Sequence, residues 1–434
     1  MSEPGSSAQD EPEAMSREQR VWKKNAPYLY DTLITTEIEW PTLTVQWMPD
    51  VMRPDSSEVS THRLLFGSHT DRDAQNHLLI QKLVMPGDEP RFDESNWDME
   101  AEEYGGFGAG RRAKLEPEIR INHGGEVHRA RYMPQNPIII ASRGPAFDVY
   151  IFDYTKHPSE PMDDRFYPQL RCKGHDDEGY GLSWSLANEG HLMTCAHDGT
   201  VCHFDINMTQ NVAGQVNPLT TYSGHTGAVE DVECHPLHEH VVGSVGDDKK
   251  LLLWDLRQAQ AQSTAIGHTA EVNSIAFNQF HEWTLATGSA DKTVALWDMR
   301  NMNKKMATLI RHENEIFQVA FSPHFATILA SSGSDNVVIV WDLDKVKPAP
   351  SDGSQPSSSE PSTSTAPSTS EALSPSGSPP EVLFVHAGHG GKIADFSWNP
   401  NQQWSICSGD EYNKLHAWEI SSAVLHEHFT GPQQ

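Results

Sequence analysis

Cys234, His235, His238 and His240 fall within one short stretch and offer the donor types of a zinc site, thiolate and imidazole. Residues 105–110, GGFGAG, carry the glycine spacing of a loop that cradles phosphate. Five glutamates, Glu126, Glu178, Glu230, Glu271 and Glu315, recur at long intervals and could hold cations. What any of these can do depends on the element that carries it. The glycine run neither follows a strand pattern nor opens a helix, and no Lys-Ser or Lys-Thr pair follows it, so it does not read as a phosphate site. The zinc candidates align with residues 277–283 and 321–327 of a repeat, which makes them an ordinary inter-strand loop. There is no nucleophile elbow, no HExxH and no carboxylate dyad. The chain reads as a binding scaffold without catalytic residues, metal or cofactor.

The repeat is what positions the acids. GSADKTVALWD (288–298) has counterparts ending at Trp254-Asp255 and Trp341-Asp342, with weaker copies ending at Phe152-Asp153, Phe204-Asp205 and Trp418-Glu419. Histidines at 175, 225, 268, 312 and 389 precede these phrases at intervals of 50, 43, 44 and 77, and the aromatic-acid endings from Phe204 onward keep the same intervals. A period near 43 with a Gly-His start and a Trp-Asp end is the WD-repeat pattern, one propeller blade per repeat. Asp198, Asp248, Asp291 and Asp335 each stand six residues before the closing aromatic. There the aspartate can cap the turn and accept from the incoming histidine. In the copy around His268, Asp291 would take that role and Trp297 would donate to Thr287, a buried network that fixes the blade.

The fold expected is therefore all-β, a seven-bladed WD-repeat propeller spanning 36–420, preceded by an N-terminal α-helix over 16–35. Ser16 and Gln19 form a capping box for that helix; Val21, Trp22, Leu29 and Leu33 make its apolar side, and Pro27 is placed to kink it. LTVQW (43–47) is expected to join the last sheet and close the ring. Residues 1–15 read as a disordered acidic tail, 346–380 as a disordered Ser/Thr/Pro-rich loop in the last blade, and 421–434 as a C-terminal tail; a further insertion covers roughly 87–117.

The formal charge of −28 repels phosphate backbones, so direct nucleic-acid binding is not expected and basic partners are. Five cysteines without paired spacing read as free thiols of a reducing compartment. The N-terminus carries no apolar signal run, and no stretch is long enough to span a membrane, so an intracellular protein is expected.

Counting from each repeat histidine, and from His123 ahead of the copy that ends at Phe152-Asp153, locates a binding face. Three residues on stand Glu126, Glu178, Ala228, Glu271, Glu315 and Lys392; five residues on stand His128, Tyr180, Glu230, Asn273, Phe317 and Ala394. Both offsets fall on one face of each innermost strand and converge on one mouth of the channel, with Asp247 on the rim. Carboxylates with aromatics among them suit an extended Lys/Arg peptide.

Several phrases outside the repeat are more specific: EWPTLTVQWMPD, INHGGEVHRARYMPQNP, IFDYTKHPSE, GYGLSW, EIFQV and KIADFSWNPN. From about Trp22 to Trp418 the chain resembles the retinoblastoma-binding, histone-binding WD-repeat proteins. That resemblance implies a non-catalytic nuclear subunit and histone chaperone. Its implied partners are core histones, retinoblastoma-like proteins, and subunits of histone deacetylase, nucleosome-remodelling, Polycomb and chromatin-assembly complexes. It also implies two sites. The channel mouth would take Lys/Arg-rich tails through Glu126, Arg129, Glu178, Tyr180, Glu230, Asp247, Glu315 and Phe317. A side groove would take a histone helix against Tyr28, Leu29, Leu33, Leu383, Phe384 and Val385. His128 departs from the asparagine the resemblance leads one to expect, and the long loop carries only Asp352, Glu360 and Glu371 as acids. The rival use of the same scaffold is a substrate receptor of a ubiquitin ligase, for which no adaptor-binding motif is found.

Overall fold

The computed structural model describes residues 17–54, 59–70, 74–86, 97–98, 103–104, 115–208, 214–347 and 379–430. The acidic tail, the glycine run 105–110 and nearly all of the Ser/Thr/Pro-rich loop lie outside the described residues.

Seven sheets, six of four strands and one of five, form the blades of a propeller. The blade built from Val272–Phe277, Thr284–Ser289, Thr293–Asp298 and Lys305–Ile310 shows why these sequences fold so. Thr284–Ser289 and Thr293–Asp298 are sandwiched between neighbouring blades and are buried almost throughout, so they read as unbroken apolar or small runs. The outermost strand, Lys305–Ile310, alternates exposed and buried residues because one side meets water. The turn after Asp291 needs a left-handed residue, and Lys292 supplies it at φ 71°; Gly199 occupies the same position two blades earlier at φ 80°.

Within that blade the expected network is complete. His268 Nδ1 lies 2.9 Å from Asp291, His268 Nε2 lies 2.8 Å from the Thr287 hydroxyl, and Trp297 Nε1 donates to the same hydroxyl at 2.9 Å. The directions follow. Asp291 can only accept, so Nδ1 carries the proton, Nε2 accepts from Thr287, and Thr287 accepts from Trp297. The set recurs as His225-Asp248-Ser244-Trp254, His312-Asp335-Ser331-Trp341 and His389-Asp410-Ser408-Trp418. Phe204 replaces the tryptophan in the His175 blade, which keeps the His-Asp and His-Thr194 bonds.

Burial is the first cause that pushes His175, His225 and His268 below the ordinary imidazole value. Burial likewise pushes His62, His123 and His203 down to about 4. A depressed folded pKa means that the unfolded chain binds protons first as pH falls. Stability is therefore full above about 6.5 and declines from there toward about 4, by on the order of 1–2 kcal/mol at pH 5 for each strongly shifted histidine. The urea midpoint should be clearly lower at pH 5 than at pH 7.5; equal midpoints would mean that the histidines are not buried as described.

Ring closure differs from expectation. The helix α1 spans Arg17–Leu29 and stops there, not at 35. The strand Tyr30–Glu37 follows and pairs antiparallel with Lys414–Ile420, setting Leu33 opposite Trp418 and Glu37 opposite Lys414. Leu33 has helical spacing from Leu29, but residues 32–36 are mostly β-branched and fit a ladder better. LTVQW belongs instead to the first blade, whose innermost strand is Val45–Met52. It still touches the last blade through side chains, since Val45 N donates to Asp395 at 2.9 Å and Trp47 N to Ser397 at 3.2 Å. The segment expected as a C-terminal tail forms a second helix, α2, over Ser422–Thr430. Backbone and side chain tie it down: Ser422 N donates to Asp31, and His428 Nε2 contacts the buried Asp342 carboxylate at 2.9 Å. In sequence between the third and fourth strands of the first blade, Trp97–Asp98 pairs with Glu103–Tyr104, and the latter lies against α1.

Candidate functional site: the acidic channel mouth

Innermost strands begin at Val229, Val272, Ile316 and Ile393, four residues after the repeat histidine, and each carries a bulge at the next residue. The bulged residues are Glu230, Asn273, Phe317 and Ala394. In these four blades the residues at offsets three and five are open or half-open, while those at offset four are buried. The bulge re-aims a side chain at the end of the strand, which places these residues at the channel opening.

Acids from three consecutive blades meet around Tyr180. After burial, Glu178, Glu230 and Glu126 are what push its phenol up. His128 is stacked on Tyr180, with ring centroids 4.6 Å apart and planes 16° apart, and is only 2 % exposed. It therefore stands behind the mouth, contrary to its placement at the rim, and covers one face of Tyr180. Its Nε2 lies 3.1 Å from Glu126, whose other oxygen lies 3.0 Å from His69. His197 sits 3.5 Å from Glu230. Burial raises the Glu230 carboxyl; His197 opposes this, and Asp247 adds to it.

Arg129 is also set back. It lines a cavity of about 310 Å³ in the channel and bonds Gln318 across it at 3.3 Å. Asn273 ties its blade to the next by donating to the Ile316 carbonyl at 2.8 Å. Glu271, Glu315 and Lys392 are exposed, and Phe317 is half-buried with no ring contact among the described residues. Glu178, Glu271 and Glu315 have no ion-pair partner among the described residues, unlike Glu126 and Glu230. Sequence reasoning missed His69 and His197, because neither occupies a repeat-histidine position.

The zinc candidates have other partners. His235 Nε2 lies 2.8 Å from the Glu282 carbonyl, its Nδ1 accepts from Leu237 N and His238 N, and Cys234 Sγ points at Ser183 O. His386, His389 and His416 form a tighter buried group. Yet His386 is bonded through Nδ1 to Tyr30 and through Nε2 to His416, and both nitrogens of His389 serve its blade network. Trp22 Nε1 donates to Tyr30 Oη at 2.6 Å, so this chain of rings fastens α1 to the last two blades.

The residues expected to wall a helix groove enter the same packing. Leu33 is fully buried, and Leu383 and Phe384 are 7 % and 4 % exposed, so none of the three is free to wall a groove. Phe384 stacks on Trp418 at 5.7 Å and meets Tyr30 edge-on at 5.3 Å. On this flank Tyr28 is exposed, while Leu29 and Val385 are half-buried. Phe384→Ala should thus lower stability by about 3–5 kcal/mol, as a core deletion does. Tyr28→Ala should leave the urea midpoint almost unchanged. Equal midpoints for both variants would place Phe384 outside the core.

Seven blades, the His-Asp-Ser/Thr-Trp networks and an acidic opening define a WD-repeat β-propeller, and WD-repeat profiles match residues 216–255, 260–298 and 303–342. Residues 17–87, covering α1, the closing strand and most of the first blade, match a profile described as the histone-binding protein RBBP4 or a CAF1-complex subunit. A relative in Caenorhabditis elegans, described as probable histone-binding protein rba-1, is 62 % identical over 413 residues, 95 % of this chain and 96 % of that one. The chain belongs to this family of RBBP4-type WD-repeat proteins.

Proposed function

We propose that the protein is a non-catalytic, nuclear histone-binding scaffold and chaperone subunit. It seats Lys/Arg-rich tails of histones or co-repressors on the acidic mouth and a histone helix on the flank beside α1. The complexes it would serve are those of chromatin assembly, nucleosome remodelling, histone deacetylation and Polycomb-type repression, together with retinoblastoma-like proteins. The observation that carries this reading is the convergence of Glu126, Glu178 and Glu230, from separate blades, around Tyr180. The name of the C. elegans relative and the net charge of −28 support it.

Calorimetric titration with an Arg/Lys-rich histone-tail peptide tests it. Affinity near micromolar, about −8 kcal/mol, is expected at low salt, with marked weakening as salt rises because the site is open to solvent. No binding at low salt would remove the mouth from the proposal. Mass spectrometry of co-purified partners separates the scaffold from the ligase-receptor use: histones and deacetylase subunits in the first case, cullins in the second.

A further inference from the structure

The mouth is not uniformly open. On one side Glu126 lies between His69 and His128, and Glu230 lies against His197. On the other, Glu271 and Glu315 are exposed and carry no ion-pair partner among the described residues, and Phe317 is half-buried with no ring contact there. The half-exposed members of the clasped side are His69 and His197, with side chains 41 % and 27 % exposed; the Glu126 and Glu230 carboxylates are 34 % and 21 % exposed. All four can therefore reach a ligand and solvent.

We infer that His69 and His197 are competing internal cations that withhold Glu126 and Glu230 from a basic peptide until the imidazoles lose their protons, which makes peptide capture proton-linked. This inference rests on the reading of the mouth as a basic-peptide site. An imidazolium beside a carboxylate already supplies the positive charge that a lysine or arginine would bring, so the incoming cation gains little there. A neutral imidazole leaves the carboxylate its full charge. Imidazoles gain and lose charge between about pH 5 and 8, so the anchors on offer change with pH. At the acid end they are Glu178, Glu271 and Glu315; at the alkaline end Glu126 and Glu230 join them.

The other charged groups facing the clasped side act in known directions. Asp247 and Asp231 both hold the Glu230 proton more tightly, after burial has done so. A proton on Glu230 also opposes peptide binding, so its effect has the same sign as that of His197. Tyr180 is pushed up and stays neutral throughout. The Arg143 guanidinium is buried with a bond to the Cys195 carbonyl, acts on Glu178 through its charge, and keeps that charge over this range.

The test uses the full chain and a peptide whose only titrating side chains are lysine and arginine, measured by calorimetry at pH 6.0 and pH 8.0 at one ionic strength. Wild type should bind about tenfold tighter at pH 8.0. His69→Asn with His197→Asn should reduce that ratio to about threefold or less, chiefly by strengthening binding at pH 6.0. Both positions are exposed enough for the variant to fold, and the single substitutions, read by thermal melt and calorimetry, guard against a folding defect. A double variant that keeps the whole wild-type pH ratio overturns the inference and leaves the mouth reading intact. Wild type that binds no peptide at either pH overturns both.

Discussion

Asp395→Ala should lower the stability of the propeller by about 3–5 kcal/mol, the cost of leaving a buried partner charge uncompensated. Asp395 is 1 % exposed and lies in the last blade. One of its oxygens accepts from Val45 N of the first blade at 2.9 Å and from Arg131 Nη2 of the second blade at 2.9 Å; the other lies 3.2 Å from the same Nη2. Burial is the main cause that pushes the Arg131 guanidinium down, and Asp395 is the first that opposes it. Three blades, including the two ends of the ring, thus share one carboxylate. Alanine removes it and strands a guanidinium and an amide N–H in the interior. Among the described residues Arg131 keeps Thr44 Oγ1 at 3.0 Å and the Ala130 carbonyl at 2.9 Å. Asp231 has a parallel role elsewhere in the ring, accepting from Ile275 N and the Ser274 hydroxyl of the next blade. Asp395→Asn should lose less than alanine, since an amide oxygen can still accept from Val45. Urea melts of the two variants provide the measurement, and a loss below about 1 kcal/mol for alanine would show that the ring ends are held by other means.

The blades were readable because two markers, the histidine and the closing aromatic, keep the same intervals, and each marks a side chain with a fixed partner. His268 and Trp297 meet at Thr287 in every detail that their spacing suggests. Ring closure was not readable in the same way. Tyr30–Glu37 pairs with a strand nearly the whole chain away, and no local signal names a partner so distant. Its Leu33 also satisfies the helical spacing of the preceding segment, so periodicity favoured the wrong element until β-branching is weighed. The mouth was legible to the level of strand face. Which face a residue occupies follows from period two, but how far it is covered depends on neighbours in other blades. His128 and Arg129 are set back because Tyr180 stacks over the one and Gln318 reaches across the channel to the other. The apolar residues beside α1 were ambiguous for a related reason. An apolar run such as residues 383–385 looks alike whether it lines a groove or fills a core, and only the stacking of Phe384 on Trp418 separates the two.

Glu178→Lys combined with Glu315→Lys should weaken binding of an Arg/Lys-rich tail peptide by at least about a hundredfold, because like charges set against one another cost several kcal/mol. The pair is chosen for what its members do not do. Neither side chain has an ion-pair partner among the described residues, so reversal breaks no internal contact of that kind. Their backbone carbonyls accept from His197 N and Ser334 N, and those bonds are indifferent to the side chain. The two positions stand before different blades, so each reversal meets a different stretch of an extended peptide and their effects should nearly add. Reversing Glu126 or Glu230 would be less clean, since a lysine there meets His69 and His128 or His197, and the rings of His128 and His197 contact Tyr180. Calorimetry at low salt reads the loss, and an unchanged urea midpoint shows that the fold is intact. Capture of a histone helix on the flank beside α1 should persist, because it is held chiefly by apolar burial away from the channel. If the double reversal binds the tail peptide as wild type does, the peptide sits elsewhere, and the acids gathered around Tyr180 are a solvated rim.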